Sequence, residues 1–187
     1  MDIGIKALEP DLIDDFLYFF DEIGFVDNPD WSDCYCQYYH FDGPRREWSK
    51  RTKKQNKNAS KALILSGKMK GFLAYSDKKP IGWCNANSKE NYSYVLFKEE
   101  PIEGRKIAAV VCFLIAPNYR QKGVARLLLK EACRFYKNNR YDYMEAYPIK
   151  NGKSDAHNYH GPYSLFLSEG FSVLKELEAF YVMRKKL

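Results

Sequence analysis

The chain has 187 residues, of which 45% are hydrophobic and 29% charged, a composition typical of one soluble globular domain whose core needs no disulfides. Its longest uncharged apolar stretch, residues 107–116, is about half the ~20 residues of a membrane helix, and the N-terminus lacks the basic and apolar regions of a secretory signal. Five cysteines, an odd number, favour free thiols in a reducing compartment. We therefore predict a cytoplasmic protein that does not enter the membrane.

Charge is distributed unevenly along the chain. The net charge is +6, yet residues 1–42 contain eleven acids and one lysine, so the remainder is strongly basic. A basic remainder suits a polyanionic ligand and an acidic first quarter suits a cationic one. Both patterns also fit solvated surfaces, and the charge alone does not choose between these interpretations.

The first third of the chain predicts a strand followed by two helical regions. Residues 3–8 alternate well enough for a strand, and Pro10 stands where a helix can begin, because its missing N–H needs no partner there. Proline-containing pairs at 28–29 and 43–44 interrupt the chain. Residues 45–66 predict an interrupted helix, and its first part, up to Lys61, carries eight cations against one acid.

The middle of the chain predicts a hairpin and one long strand. Residues 70–75 and 80–86 are short apolar runs around a polar stretch at 76–79, which is typical of a hairpin. Residues 87–105 predict a loop or a ragged strand. The run 106–116 predicts the strongest strand, and its continuous apolar character is expected of a strand buried on both faces.

The C-terminal part alternates between helices and strands. Residues 124–136 predict an amphipathic helix, and 162–169 predict a short helix closed by Gly170, a residue suited to the left-handed C-terminal position. The other predicted elements are a strand at 141–147, a polar loop at 151–161 and a hairpin with strands at 171–174 and 179–183. We therefore expect one mixed α/β domain.

The turn at residues 120–125, Arg-Gln-Lys-Gly-Val-Ala, lies between the strongest strand and the amphipathic helix. This arrangement directs backbone N–H groups and a helix N-terminus at a phosphate. Gly123 allows a diphosphate to approach the backbone closely, and Ala125 keeps the helix start narrow. Arg120 and Lys122 add positive charge at the rim. The turn predicts a site for a coenzyme that carries a diphosphate.

The turn and its surroundings resemble the GNAT superfamily of acetyl-CoA-dependent N-acetyltransferases. The family's phosphate motif is Gln or Arg, two residues, Gly, one residue, then Gly or Ala, and Arg120, Gly123 and Ala125 fit it. The apolar strand before the turn, the helix after it and the Glu-Gly-Phe turn at 169–171 agree with the family as well. The resemblance covers residues 60–187 well and the first third loosely.

The resemblance implies a single α/β domain over residues 1–187, with a mixed, mostly antiparallel sheet that splays at the coenzyme strand and is flanked by helices. Residues 1–66 are then an acceptor-side lobe, and residues 67–187 are the coenzyme-binding core. The splay frees backbone groups near residues 114 and 115 for the pantetheine arm. The coenzyme residues that the resemblance implies are Leu114, Ile115, Arg120, Gln121, Lys122, Gly123, Val124, Ala125 and Asn158.

The chemistry of acetyl transfer to an amine asks for a proton acceptor, a donor to the oxyanion and a proton for the departing thiolate. A backbone N–H on the splayed strand is the expected oxyanion donor. Family members usually supply the proton from a tyrosine on the last helix, and that position is Phe166 here. Tyr163, about one helical turn earlier, is our choice for this general acid, and Tyr159 is a second candidate.

A carboxylate on the strand at 141–147, Glu145, is our candidate base, with Asp33 and Glu47 as alternatives from the acceptor side. In the family, the region around residues 31–41 contributes to the acceptor pocket, so Trp31, Tyr35 and Cys36 are expected to line it.

Cys34, Cys36, His40 and Cys84 suggest a zinc site, but two cysteines separated by one residue are a poor chelate, and we predict no metal. If residues 34–36 form a strand, both thiols point the same way and Tyr35 the other.

We therefore predict an enzyme that transfers acetyl from acetyl-CoA to a primary amine of a small molecule or peptide by direct attack. The alternative is a non-catalytic protein, either an acyl-CoA sensor or a basic module associated with nucleic acid. We do not expect nucleic-acid binding, because no recognition motif accompanies the basic stretch. The acceptor amine is not identified by the sequence, and the resemblance allows a homodimer.

Overall fold

The computed structural model describes residues 2–94, 104–152 and 157–187. Within these residues, seven strands form one sheet in the order β1-β2-β3-β4-β5-β7-β6. The strands are β1 Gly4–Ala7, β2 Phe72–Ser76, β3 Lys79–Ser88, β4 Ile107–Ile115, β5 Tyr143–Ala146, β6 Ser172–Glu176 and β7 Tyr181–Lys186. The helices are α1 Ile13–Tyr18, α2 Arg45–Trp48, α3 Lys53–Leu65, α4 Val124–Asn138 and α5 Tyr163–Ser168.

The sheet is mostly antiparallel, and its one parallel pair among the described strands is β4 with β5. The predicted mixed α/β domain is therefore confirmed. Helices cover both faces, so the sheet separates two large hydrophobic clusters. One cluster contains α4 and α5, and the other contains α1 and part of α3. No helix in the described part of the chain is both long and apolar enough to cross a membrane.

The first third of the chain joins the sheet as well as forming its own helices. β1 pairs with β2 at the sheet edge, which confirms the predicted first strand. A 3-10 turn at Pro10–Leu12 leads into α1, and a π-helical turn at Phe19–Ile23 continues it. The interrupted helix predicted at 45–66 is confirmed as α2 and α3. The Thr52 side chain accepts a hydrogen bond from the Gln55 N–H and starts α3 with a capping box.

Residues 29–41 form short 3-10 turns instead of the strand considered for the cysteine pair. Tyr35 and Cys36 both have positive φ, at 43° and 55°, in the left-handed region that a strand excludes. The alternation of side chains expected for a strand therefore does not apply to the two thiols.

The predicted hairpin is confirmed by β2 and β3, which are joined through Asp77 and Lys78 with φ of 49° and 66°, as a tight hairpin turn requires. The strong strand predicted at 106–116 is β4. Its residues Ala108–Val111 are all fully buried, which agrees with a strand covered on both faces. Residues 95–103 of the loop or ragged strand predicted at 87–105 lie outside the described residues, as do residues 153–156 of the predicted polar loop.

β4 has the feature that creates the site. Its register with β3 shifts between Asn85, which faces Cys112, and Ala86, which faces Val110, so Val111 is an extra residue in a bulge. β5 pairs with β4 only as far as Val110. Beyond the bulge β4 continues to Ile115 without β5, and the two strands splay apart.

Candidate active site

A cavity of about 1010 Å³ opens beside the free edge of β4, past the bulge. Its lining side chains come from within residues 20–39, 48–56, 112–115, 119–126 and 158–168. The first third of the chain and the C-terminal half therefore face each other across it. This volume is at the upper end of the range found for ligand pockets.

The turn before α4 forms one end of the cavity. Gly123 is the residue that precedes the helix, with φ of +82°, a conformation that favours glycine. A Cβ placed there would meet nothing within 4 Å, so the space in front of this backbone is open. The first N–H groups of a helix have no intrahelical partners, and in α4, with 15 residues, they begin at this opening. The turn thus fits a diphosphate.

Two arginines near the turn already have carboxylate partners. The Arg120 Nε donates to the Ile115 carbonyl at 3.1 Å, and its Nη2 donates to Asp27 at 3.0 Å. The guanidinium holds the pKa of Asp27 below its usual value. Arg126 pairs with Glu169 at 2.6 Å. Arg120 therefore ties β4 to the acceptor side of the cavity, a role in addition to the rim charge expected from the sequence.

The backbone of β4 presents its polar groups in alternation. The Phe113 N–H donates to the Tyr159 carbonyl at 2.6 Å, and the Ala116 N–H donates to the Ile81 carbonyl at 2.9 Å, on the opposite side toward β3. Alternation along a strand then turns the Ile115 N–H toward the cavity edge and the Leu114 N–H toward β3. From this alternation we infer that Ile115 has a backbone donor at the splay, whereas Leu114 contributes its side chain to the lining.

Eight of the nine residues expected to contact the coenzyme line the cavity: Leu114, Ile115, Arg120, Gln121, Gly123, Val124, Ala125 and Asn158. Lys122 is not among the described lining residues. Its ammonium lies 5.8 Å from the ring centre of Tyr119. Coenzyme binding by these residues stays a prediction, and their common position around one cavity supports it.

The tyrosine candidates occupy different places. Phe166 is fully buried in the core. Tyr163 packs its ring against Tyr181 of β7 at 4.9 Å and is absent from the described cavity lining. Tyr159 does line the cavity, with its ring 5.8 Å from Trp31, and burial raises the pKa of its hydroxyl to about 12. The structure therefore favours Tyr159, our second candidate, over Tyr163.

Glu145 lies in an ion-pair cluster and not in the cavity lining that the structure describes. Its side chain is fully buried. Oε1 accepts from the Arg184 Nη2 at 2.6 Å, and Oε2 accepts from the Lys89 Nζ at 2.7 Å and the Tyr147 hydroxyl at 2.8 Å. A carboxylate held by two cations and a hydroxyl is suited to joining strands. The geometry therefore argues against Glu145 as the base.

The two alternative carboxylates also differ. Glu47 pairs with Lys50 at 3.0 Å on the surface and is not among the described lining residues, whereas Asp33 is. Asp33 is thus the carboxylate, of the three considered, that the fold brings to the cavity.

Two of the three residues expected to line the acceptor pocket face the cavity, and the third is in the core. Trp31 and Cys36 line the cavity. Tyr35 is fully buried, stacks on Phe20 at 5.6 Å and donates its hydroxyl hydrogen bond to Asp21. Its ring therefore belongs to the core beneath the cavity, because the left-handed turn at 35 and 36 directs it inward.

The cysteines of this region are free and form no metal cluster within the described residues. The Cys36 Sγ accepts a hydrogen bond from the Trp83 Nε1 at 3.2 Å. Burial opposes ionisation of this thiol, but hydrogen bonds from Cys112, Trp83 and Asn85 hold its pKa below the usual value.

Sequence reasoning missed several side chains of the cavity. Tyr39, whose hydroxyl lies 3.1 Å from the Nε2 of the buried His160, lines it beside Tyr159. Arg51 and Asn56 line its acceptor end. The dense aromatics at 38–39 and the basic run at 45–61 are visible in the sequence, but only the tertiary fold shows that they face the cavity.

A sheet that splays after a bulge, with a glycine turn and a helix N-terminus at the splay, is an arrangement suited to a coenzyme diphosphate. The model of the acetyltransferase (GNAT) family matches residues 26–161, which is more than half of the chain. The chain belongs to the GNAT family and is an acyltransferase that uses acetyl-CoA. The predicted family is therefore confirmed.

Solved structures share the fold at low sequence identity. The PaiA N-acetyltransferase from Thermoplasma acidophilum, in complex with coenzyme A, is 16% identical over 100% of both chains, with a TM-score of 0.58. A GCN5-related N-acetyltransferase from Kribbella flavida is also 16% identical, over 99% of this chain and 98% of its own, with a TM-score of 0.60. A GNAT-family acetyltransferase from Streptococcus pneumoniae is 15% identical over 100% and 99%, with a TM-score of 0.56. No curated protein matches the chain.

Proposed function

We propose that the protein transfers acetyl from acetyl-CoA to a primary amine of a small molecule or peptide by direct attack. The observation that carries this proposal is the continuity of the cavity. It runs from the turn at Gly123, along the free edge of β4, to side chains of the first third of the chain. An acceptor can therefore enter opposite the coenzyme and meet it at β4, as transfer without a covalent enzyme intermediate requires.

Around the free edge of β4, the chain has groups that we assign to coenzyme binding, to oxyanion stabilisation and to proton transfer. We assign the turn and the start of α4 to binding the diphosphate, and the Ile115 N–H to donating to the carbonyl oxygen of the reacting acetyl group. Bound acetyl-CoA supplies the thioester. Asp33, at the acceptor end, is the carboxylate we assign to receiving the amine proton. Tyr159 gives the proton of its hydroxyl to the departing sulfur, and with a pKa raised to about 12 that hydroxyl is protonated at neutral pH, as an ordinary tyrosine also is.

Calorimetry with acetyl-CoA tests the coenzyme site through Gly123→Glu. The new side chain introduces bulk and negative charge where the diphosphate is expected, so binding should fall from the micromolar range to undetectable. Gly67→Glu is the matched control, because Gly67 also has positive φ, +69°, and open space around it. Equal binding by the Gly123 variant and the wild type would remove the turn from the site.

Thiol release over a panel of amino acids, polyamines, aminoglycosides and peptides tests the transfer itself. Turnover with any primary amine supports the proposal. Coenzyme binding without turnover on the whole panel would favour the non-catalytic sensor, the second candidate, whose support is the phenylalanine at the usual tyrosine position, Phe166.

A nucleic-acid role for the basic stretch has less support, because several of its cations have partners. Lys57 and Lys53 pair with Asp21, and Lys50 pairs with Glu47. A cytoplasmic location rests on the free thiols, and the homodimer stays a prediction of the resemblance.

A further inference from the structure

Arg51 lies in the break between α2 and α3 and lines the acceptor end of the cavity. It belongs to the basic stretch that coenzyme binding does not use. Its neighbour Arg46 is turned to solvent, with 84% of its side chain exposed. Because the chain changes direction between the two helices, Arg51 faces the cavity whereas Arg46 faces solvent.

The Arg51 guanidinium is held in place by uncharged groups. Its Nε donates to the Asn56 Oδ1, its Nη2 donates to the Gln55 carbonyl at 3.3 Å, and its carbon Cζ lies 4.8 Å from the ring centre of Phe41. A guanidinium has five N–H donors, so three remain. Within the described ranges no carboxylate lies within 4.0 Å of it. The charge is thus oriented, and the donors along its outer end are available to a ligand.

Asn56 links Arg51 to the backbone of Asp33, the residue whose carboxylate we assign to the amine. Asn56 is 2% exposed, and its Nδ2 donates to the Asp33 carbonyl at 2.8 Å while its Oδ1 accepts from Arg51. One buried amide therefore joins the two charged residues on the same wall. Trp48 and Tyr38, with ring centres 5.2 Å apart, line the cavity as well. The acceptor end thus offers a cation, a carboxylate and aromatic surface.

We infer that the acceptor is an amine that also carries a carboxylate, as an amino acid does, and that Arg51 binds the carboxylate while Asp33 faces the amine. This inference rests on the proposed function and narrows its substrate class. The remaining Arg51 donors match a carboxylate bidentately. A purely cationic acceptor such as a polyamine would instead place a charge of the same sign beside this half-buried guanidinium.

The test compares matched amines that differ in the carboxylate: L-phenylalanine with phenethylamine, and γ-aminobutyrate with butylamine. The wild type should acetylate at least one carboxylate-bearing member with kcat/KM about tenfold or more above its partner, the range of a charge-assisted pair. Arg51→Gln should remove this preference by raising KM for that member alone, with the KM for acetyl-CoA unchanged. Arg46→Gln is the matched control and should keep the preference.

Equal or better use of the carboxylate-free amines by the wild type would overturn the inference but leave the transferase intact. An equal loss on both members of each pair in Arg51→Gln would overturn it too. A preference for O-phosphoethanolamine over ethanolamine, without one in the carboxylate pairs, would assign Arg51 to phosphate instead.

A binding measurement keeps the inference testable if no amine turns over. Calorimetry on the protein saturated with coenzyme A should show that N-acetylphenylalanine binds about tenfold or more tightly than N-acetylphenethylamine. This difference should vanish in Arg51→Gln. Equal binding of the two compounds to the wild type, or no binding of either, would reject the carboxylate site.

Discussion

At the scale of single residues, our proposal for the general acid depends on where the fold places Tyr159. Tyr159 precedes α5 and reaches the cavity because its backbone carbonyl accepts from the Phe113 N–H at 2.6 Å. Its ring is then fixed between Trp31, at 5.8 Å, and His160, at 4.2 Å. A side chain anchored through both backbone and ring is well placed to deliver a proton repeatedly to one point.

Tyr159→Phe is expected to lower kcat about tenfold or more, because it removes the general acid. The KM for acetyl-CoA should change little, since the hydroxyl contributes to the proton transfer more than to coenzyme binding. Thiol release under saturating substrates measures this. Tyr163→Phe is the control, because its ring packs on Tyr181. A larger loss in the Tyr163 variant than in the Tyr159 variant would reverse our assignment.

At the scale of elements, Glu145 joins three parts of the fold. It lies on β5 directly opposite Arg184 of β7, and it also binds Lys89 in the short 3-10 helix that follows β3. The side chains of Arg184 and Lys89 are only 12% and 13% exposed, so the cluster is shielded from solvent screening. Removing the carboxylate of such a cluster takes a buried partner away from both cations.

Glu145→Gln should therefore reduce the free energy of unfolding by about 3 kcal/mol or more. Urea denaturation measures this, and the folded fraction should still bind acetyl-CoA. Glu131→Gln removes an exposed ion pair with Arg134 and should change stability by less than about 1 kcal/mol. A stable Glu145→Gln protein without turnover would instead restore Glu145 as the catalytic base.

At the scale of the whole molecule, two buried histidines make the free energy of unfolding depend on pH. His40 and His160 are 6% and 2% exposed, and burial lowers the pKa of each to about 4. The unfolded chain takes up protons near the ordinary value of 6.5, whereas the folded chain does not. The unfolding free energy is thus undiminished by these groups above pH 6.5 and decreases as the pH falls toward 4.

Each imidazole should account for a decrease of up to ~3 kcal/mol at the lower end of this range. Denaturation curves between pH 7 and 4 measure the slope, and His160→Gln should make it shallower. His157→Gln is the control, because His157 lies on the surface. An unchanged slope in the His160 variant would show that this histidine is protonated in the folded protein.

The order of the elements followed from periodicity, because buried strands, amphipathic helices and glycine turns leave local patterns. The site followed only in part. The turn at 120–125 has a local signature, but the bulge at Val111 does not, since it arises from pairing between strands. The sequence favours Tyr163 over Tyr159 because it lies one helical turn from Phe166. This spacing does not show which side chain faces the cavity. The roles of Glu145 and Arg51 could not be predicted, because they are set by residues that are distant in the sequence and leave no local pattern.

The pairing of Arg120 with Asp27 and of Arg126 with Glu169 has a consequence for how the protein meets its coenzyme. With those two arginines paired, attraction at the turn comes from Lys122 and from oriented peptide dipoles, and the dipoles act at contact distance. Ionic strength screens long-range attraction between net charges far more than such short contacts. The part of coenzyme capture that the dipoles supply should therefore change little with salt concentration, whereas the part that Lys122 supplies should weaken.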